Sequence, residues 1–304
     1  MRRSLGAGLR GRSGGTLILE VRLAAPRVQL ASTRVSRVSR DDDTRVLLDA
    51  YDAQLRAHVH DRLPDSIQVD WDGPLMRITG FGDRGFVGYR DLAGLDGDEL
   101  DELIARQVRF FADRGQGFEW KLHGHDRPAD LPERLRAAGF EPEELETVVI
   151  ARVADLPLDP VLPEGVVIQE VTERGGFRRI AELEAAVWDE EHGWLDDLAD
   201  EREADPDRLR VFIADADGVA VSAGWVRFPS GTEFGTLWGG ATRREWRGRG
   251  IYRALVAERA RLAAELGRTY IETDASADSR PILERLGFTA VTTTTPFVWS
   301  PPGP

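Results

Sequence analysis

Apolar residues repeat along this chain at two spacings, one typical of amphipathic helices and one typical of strands. Near its C-terminal end, Ile251, Leu255, Leu262 and Leu266 recur at spacings of four, seven and four, which predicts a helix that ends at Gly267. A glycine-rich strand and a basic turn are predicted before this helix, and a strand and a short helix after it. The strand and the turn before the helix are predicted at 234–242 and 243–250, and the strand and the short helix after it at 270–274 and 279–288.

Strands and helices also alternate in the region before this run. Strands are predicted at 75–79, 85–89, 118–122, 147–151, 165–171, 209–214 and 219–226, and helices at 41–58, 96–115, 131–140 and 177–188. Three prolines within seven residues predict a linker at 154–164. The alternation favours an α/β fold with two domains, at 41–153 and 165–304.

Composition narrows the possible functions. The chain has 304 residues, a formal net charge of −13 and no cysteine, which argues against a nucleic-acid partner and excludes disulfides and a cysteine nucleophile. Its five histidines lack metal-ligand spacing, so we expect no metal site. No apolar run approaches the ~20 residues that span a bilayer. We therefore expect no membrane partner and a cytoplasmic location.

Residues 1–40 differ in charge from the rest of the chain. They contain nine arginines and one acidic residue, Glu20. Three interpretations stay open, namely a targeting segment, a flexible basic tail and a start codon assigned too early. We expect this segment to be disordered and dispensable.

The basic turn before Ile251 carries the clearest chemistry. A glycine-rich turn that leads into a helix presents unpaired backbone N–H groups and the positive end of the helix dipole, which together bind anions. Gly248 and Gly250 allow close approach of a ligand, and Arg247 and Arg249 supply phosphate donors. The turn lacks the Lys-Ser/Thr ending of a P-loop and the third glycine of a dinucleotide fingerprint.

The run Arg247-Gly248-Arg249-Gly250-Ile251-Tyr252 resembles the acyl-CoA loop of the Gcn5-related N-acetyltransferase (GNAT) superfamily, Arg/Gln-x-x-Gly-x-Gly/Ala. Tyr252 departs from the family's small residue. Arg285-Leu286-Gly287-Phe288 is similar to the family's closing segment. The resemblance implies a mixed, mostly antiparallel central sheet flanked by helices in each domain. The alternative is that the arginines and glycines form only a solvated turn.

The predicted elements of the first half follow one another in the same order as those of the second half. Glu133-Arg134-Leu135 with Gly139-Phe140 parallels Glu284-Arg285-Leu286 with Gly287-Phe288. Where the second half has its basic turn, however, the first has the acidic segment 89–98. Acidic groups there would repel a phosphate, so we predict that 41–153 is a degenerate GNAT-like domain that binds no CoA.

The resemblance implies acetyl-CoA as acyl donor and a set of residues that bind it. That set is Gly240, Ala241, Thr242, Arg247, Gly248, Arg249, Gly250, Ile251 and Tyr252. It also implies direct attack by an amine, which needs a carboxylate to remove a proton. Asp274, Glu233 and Glu272 are the candidates, and Asp274 is favoured because it ends its strand.

The family often has a tyrosine that protonates the departing thiolate, but Leu283 stands at that position. Ser276, Ser279 or solvent would have to replace it. We expect an N-acetyltransferase that acts on a small amine, and Leu283 keeps open the alternative of a non-catalytic acyl-CoA-binding or sensing protein. A structural protein is a third hypothesis.

The acidic segment 188–207, with Trp188 and Trp194, stands where the family's acceptor pocket forms. It either attracts a cationic amine or is a solvated acidic helix. Two similar halves in one chain can take the place of a dimer, so we expect a monomer.

Overall fold

The computed structural model describes residues 40–59, 63, 66–80, 84–159, 161–188 and 194–302. The predicted basic tail lies outside this part of the chain, except for the backbone of Arg40. Its disorder stays a prediction.

Seven α-helices lie within the described residues. They are α1 (Arg40–Gln54), α2 (Gly97–Ala112), α3 (Leu131–Ala137), α4 (Arg174–Trp188), α5 (Trp194–Ala204), α6 (Ile251–Glu265) and α7 (Arg280–Leu286). Among them, none is long and apolar enough to cross a membrane.

Twelve strands accompany these helices in the same part of the chain. They are β1 (Gln68–Asp72), β2 (Leu75–Thr79), β3 (Gly85–Gly88), β4 (Phe118–His123), β5 (Glu141–Pro142), β6 (Glu146–Arg152), β7 (Val166–Glu170), β8 (Leu209–Ala216), β9 (Val219–Arg227), β10 (Phe234–Thr242), β11 (Tyr270–Ala275) and β12 (Thr289–Trp299). Three of these strands, β1, β5 and β12, were not predicted from the sequence pattern.

The described strands form one sheet in the order β1-β2-β3-β4-β12-β6-β11-β10-β9-β8-β7, with β5 paired to β12. Only β3–β4 and β10–β11 pair in parallel among these strands. The predicted fold class, an α/β fold with a mixed and mostly antiparallel sheet, is confirmed.

The two halves complete each other's part of this sheet. β12, the last strand of the chain, pairs with β4 and β6 of the first half. β6 in turn pairs with β11 of the second half over six residue pairs, from Tyr270 to Ala275. The predicted boundaries near residues 153 and 165 stay a prediction, and the sheet runs across them.

Strand register assigns side chains to the two faces of the sheet, because directly opposed residues point the same way. Val148 and Ile150 pack with Leu47 and Tyr51 of α1, which defines the α1 face. Helices α4 and α5 pack on this face beside Trp225. The intervening residue Val149 packs with α6, which defines the α6 face.

Candidate functional site

The two parallel strands of the second half separate before they end. β10 pairs with β11 only from Phe234 to Thr236, opposite Tyr270 to Glu272, and then continues to Thr242 without it. A register shift against β9 lies between Gly239 and Thr242. The result is an opening between the C-terminal ends of β10 and β11.

Two glycines shape the backbone at this opening. Gly239 and Gly240 have φ angles of +72° and +115°, which disfavour any residue with a side chain. A Cβ atom on Gly239 would lie 2.3 Å from the Trp225 ring, and one on Gly240 would lie 3.0 Å from the Tyr252 ring. The bulge therefore requires glycine at both positions.

The loop from Arg243 to Gly250 delivers the chain to the start of α6. The Arg247 Nε atom donates to the Thr242 carbonyl at 3.0 Å, which anchors the loop to the end of β10. Gly248 and Gly250 have φ angles of +75° and +86°. The two glycines thus allow the sharp reversal that the sequence predicted.

The start of α6 has the properties of an anion site. Its first backbone bond runs from the Ala254 N–H to the Gly250 carbonyl at 3.0 Å. The N–H groups of residues 248–253 have no hydrogen-bond acceptor among the described residues, and no acidic side chain lies in the first turn. Unpaired amides at a positive helix end attract phosphate oxygens.

Arginines surround these amides. Arg247 and Arg249 are exposed, and the Arg249 guanidinium lies 4.7 Å from the centre of the Trp246 ring, which supports its position. Arg243 instead donates from Nε to the Ala220 carbonyl at 2.9 Å. Arg247 and Arg249 can therefore reach a ligand, while Arg243 stabilises the loop.

The Tyr252 ring is half-buried against the core that α6 forms with the sheet, in contact with Gly240. Burial raises the pKa of its hydroxyl, although the nearby Arg259 lowers it in part, so the ring stays protonated at neutral pH. The Tyr252 ring thus packs against the glycine bulge.

Arg259 is a contributor that the sequence analysis missed. Its side chain is only 1% exposed and donates from Nη1 to the carbonyls of Trp225 and Trp238, each at 3.1 Å. Burial lowers its pKa to about 10, so it remains charged at neutral pH. It holds the Trp225–Trp238 pair of β9 and β10, one pair before the bulge begins at Gly239, and Gly224 leaves room for it.

The three candidate bases do not lie together. Glu272 and Asp274 lie on the α1 face of β11, beside the opening. Glu233 precedes β10 at its other end, where it bonds Gln54 and Thr269. Glu233 is therefore far from the opening, and its contacts are those of a structural residue.

The environment of Glu272 favours a proton acceptor. Burial raises the pKa of Glu272 well above its usual value, the negative charge of Asp274 raises it further, and Lys121 lowers it in part. Asp274 forms an ion pair with Lys121 of the first half. A carboxylate with a raised pKa is a stronger proton acceptor than an ordinary one.

Ser276 and Leu283 lie after β11. The Ser276 hydroxyl accepts from the Ser279 N–H at 3.3 Å and lies 3.2 Å from the Ser279 hydroxyl, so it supports the turn before α7. Leu283 is fully buried in the core. The side chain at position 283 therefore cannot act as an acid.

Four residues of the first half face Asp274 and Glu272, and the sequence analysis named none of them as a site residue. Tyr51 donates to or accepts from His123 Nε2 at 3.1 Å, and Lys121 and Glu146 lie nearby. Burial, with the charges of Arg56 and Lys121, lowers the pKa of His123 to about 2, so its ring is neutral. Lys121 is the chain's only lysine, which was a usable signal.

The acidic segment 188–207 is described only in part. Asp189, Glu190 and Glu191 lie outside the described residues, as does the side chain of Trp194, while Trp188 is 58% exposed. The acids of α5 include Glu201, which pairs with Arg208 and Arg227. This part of the segment is a helix with solvated and ion-paired acids.

Comparison with known families finds one match, in the second half. Residues 177–288 match the model of the acetyltransferase (GNAT) family. No curated protein matches the chain at the sequence level.

Solved structures share the fold of the chain. A GCN5-related N-acetyltransferase from Kribbella flavida has a TM-score of 0.61 and 18% identity, over 86% of this chain and 95% of that one. A second, from Sphaerobacter thermophilus, has a TM-score of 0.60 and 17% identity, over 77% and 83%. A tandem GNAT protein from the clavulanic acid biosynthesis pathway has a TM-score of 0.57 and 16% identity, over 88% and 97%. These matches span both halves and confirm the predicted tandem GNAT-like fold.

Within the described residues, no group of three or more His, Asp and Glu side chains could hold a metal ion.

Proposed function

We propose that the protein is an acetyl-CoA-dependent N-acetyltransferase that acts on a small-molecule amine. The observation that supports this most directly is the array of unpaired backbone N–H groups at residues 248–253, next to an opening between two parallel strands. The GNAT family of the domain supports acyl transfer from acetyl-CoA. The acceptor and the mechanism belong to the proposal.

Three features of the site support acetyl-CoA as its ligand. The amides at the start of α6, with Arg247 and Arg249, would hold the diphosphate. The segment Gly240–Thr242 lies along the opening, where backbone groups can pair with an extended pantetheine arm. An N–H of Gly240 or Ala241 would polarise the thioester carbonyl.

Transfer then needs one proton removed and one supplied. The amine nitrogen attacks the thioester carbonyl carbon, a C–N bond forms, and the C–S bond breaks with its electron pair on sulfur. Glu272, or Asp274 through water, would take the proton from nitrogen. The thiolate would take a proton from solvent or from Ser276, since Leu283 has no proton to give.

A second candidate function is acyl-CoA binding without transfer. The complete burial of Leu283, where the family often has a tyrosine, favours it. The two functions share the cofactor loop and differ only in turnover.

Thiol release separates the two functions. Because the chain has no cysteine, a thiol reagent added to protein, acetyl-CoA and an amine panel detects only free CoA. Amine-dependent thiol release supports the transferase. Tight acetyl-CoA binding without release from any amine would leave only the binding function.

The net charge of −13 supports a protein without a nucleic-acid partner. We further propose that it has no membrane partner, is cytoplasmic and is a monomer.

A further inference from the structure

On the α1 face, polar side chains of four neighbouring strands converge where the two halves meet. Thr294 lies directly opposite both His123 of β4 and Glu146 of β6. Lys121 contacts Asp274 although β12 and β6 lie between their strands. The sheet must therefore curve, so that this ion pair spans a concave surface, which we call the central concavity.

Three atoms in the central concavity are buried without a hydrogen-bond partner in the described part of the chain. They are Oγ1 of Thr294, which is fully buried, Oδ1 of Asp274 and Nδ1 of His123. Buried polar groups in native proteins are nearly always satisfied. A cluster of three exceptions on one surface points to a polar ligand that completes them.

The central concavity is lined by more carboxyl groups than cations. Lys121 pairs with Asp274, and Arg84 pairs with Glu119. Glu146 and Glu272 form no ion pair with any described residue. Two carboxyl groups without a counter-ion, beside unsatisfied acceptors, select a cation over an anion or a neutral molecule.

The central concavity adjoins the predicted thioester site. Thr236 and Glu272 are the last paired residues of β10 and β11. Trp238 and Asp274, two residues further on, lie on the same face and flank the opening. An amine bound here would meet an acyl group held beside Gly240.

We propose that the central concavity binds the acceptor, and that the acceptor is a small diamine or a related compound with two positive charges. This inference rests on the proposed function. Glu272 and Asp274 face the reacting nitrogen, and Glu146 of the first half holds the second ammonium group. The first half therefore supplies part of the acceptor site.

Calorimetry tests this inference without turnover. The full chain, saturated with CoA, is titrated with 1,4-diaminobutane and with 4-amino-1-butanol, which has the same length and one charge less. A charged hydrogen bond contributes enough for the diamine to bind roughly tenfold to a hundredfold more tightly. Equal affinities would overturn the inference.

A matched pair of variants locates the second charge. Glu146→Gln should remove most of the preference for the diamine, while Glu141→Gln, at an exposed position of β5, should keep it. Because Lys121 is the only lysine, its Nζ resonance reports on the central concavity, and the diamine should shift it. An unchanged preference in Glu146→Gln, or an unmoved resonance, would contradict the proposed site.

Acetyl transfer is measured in a separate assay, by thiol release. If the diamine binds with this selectivity but no thiol is released, the proposed acetyl transfer fails while the cation site stands. If thiol is released equally with the diamine and the amino alcohol, the transferase stands and the inference fails.

Discussion

The starts of α6 and α2 occupy corresponding places in the two halves, after the first strand of a parallel pair, but they have opposite charge. α6 begins after Gly250, with unpaired amides, arginines nearby and no acid in its first turn. α2 begins after Asp96 and carries Asp98 and Glu99 in its first turn. Acids there already neutralise the positive helix end.

The comparison shows that two helices in corresponding strand–helix–strand arrangements differ in charge because of the side chains at their starts. The segment before α2 also uses its own acid, since the Asp91 carboxylate accepts from the Ala93 N–H at 2.8 Å. The α6 loop leaves its amides for a ligand. Folding alone therefore does not decide which half binds the cofactor.

The largest effect should come from separating the halves. A chain of residues 154–304 lacks β6, which pairs along all of β11, and β4, which pairs with β12. Val148 and Ile150 are fully buried in the intact protein and pack with Phe234 of β10, so their loss exposes that ring. We expect this fragment to show no cooperative thermal transition by circular dichroism. A fragment that melts cooperatively and binds acetyl-CoA would contradict the interlocked sheet.

The next largest effect should come from placing an acid at the α6 start. Gly250→Asp puts a side chain at φ +86° and a negative charge beside the phosphates, so acetyl-CoA binding should fall below detection by calorimetry. Gly97→Asp is the matched control at the start of α2, where φ is +50°. It should leave acetyl-CoA affinity unchanged. Equal losses in both variants would indicate general destabilisation instead.

Removing one guanidinium should have a moderate effect. Arg249→Ala loses a phosphate donor, which should weaken acetyl-CoA binding by roughly tenfold to a hundredfold, with a smaller loss at high salt. Arg90→Ala, in the loop before α2, is the control. An affinity that is independent of both arginine and salt would show that the diphosphate lies elsewhere.

Much of the site could be predicted from the sequence, because its signals are local. Glycines at positive φ, arginines around them and the apolar stripe of α6 lie within about twenty residues of each other. The proposal that this loop binds CoA came from the resemblance, since the pattern alone indicated only an anion site.

The shared part of the site could not be predicted, because it depends on contacts far apart in the chain. Lys121 of β4 and Asp274 of β11 are brought together only when β12 and β6 pair between those two strands. β12 itself was missed, since its residues 292–295 are four consecutive threonines without apolar alternation. Without that strand, Glu146 of the first half had no visible connection to Thr294 of the second half.

The stability of the folded protein should depend on pH through Glu146 of the first half. Burial, with the charge of Asp274, raises the pKa of Glu146 from 4.5 to about 7. Between these values the folded protein binds more protons than the unfolded chain, so stability should fall as the pH rises through this window. Glu272, Glu119, Lys121 and Tyr51 of α1 also face this region.

Thermal melts from pH 4 to pH 8 measure the effect. Glu146→Gln should flatten the decline relative to the native protein, and Glu141→Gln should not. If stability declined as steeply with pH in Glu146→Gln as in the native protein, the decline would belong to other carboxyl groups.

The smallest effect should come from a substitution that stabilises a helix but weakens acetyl-CoA binding. Arg253→Glu places an acid in the first turn of α6, which should raise the free energy of unfolding by about 0.3–1 kcal/mol and weaken acetyl-CoA binding. Asp98→Asn at α2 should lower stability by a similar amount and leave binding unchanged. Urea unfolding and calorimetry measure both quantities. A destabilised Arg253→Glu would contradict the account of the dipole.

The most direct measurement is a crystal structure of the full chain with acetyl-CoA bound. We predict that the diphosphate oxygens accept hydrogen bonds from the N–H groups of residues 249–252, with the pantetheine arm between β10 and β11. Diphosphate density at the α2 start, or a cofactor bound away from both helices, would contradict the central claim.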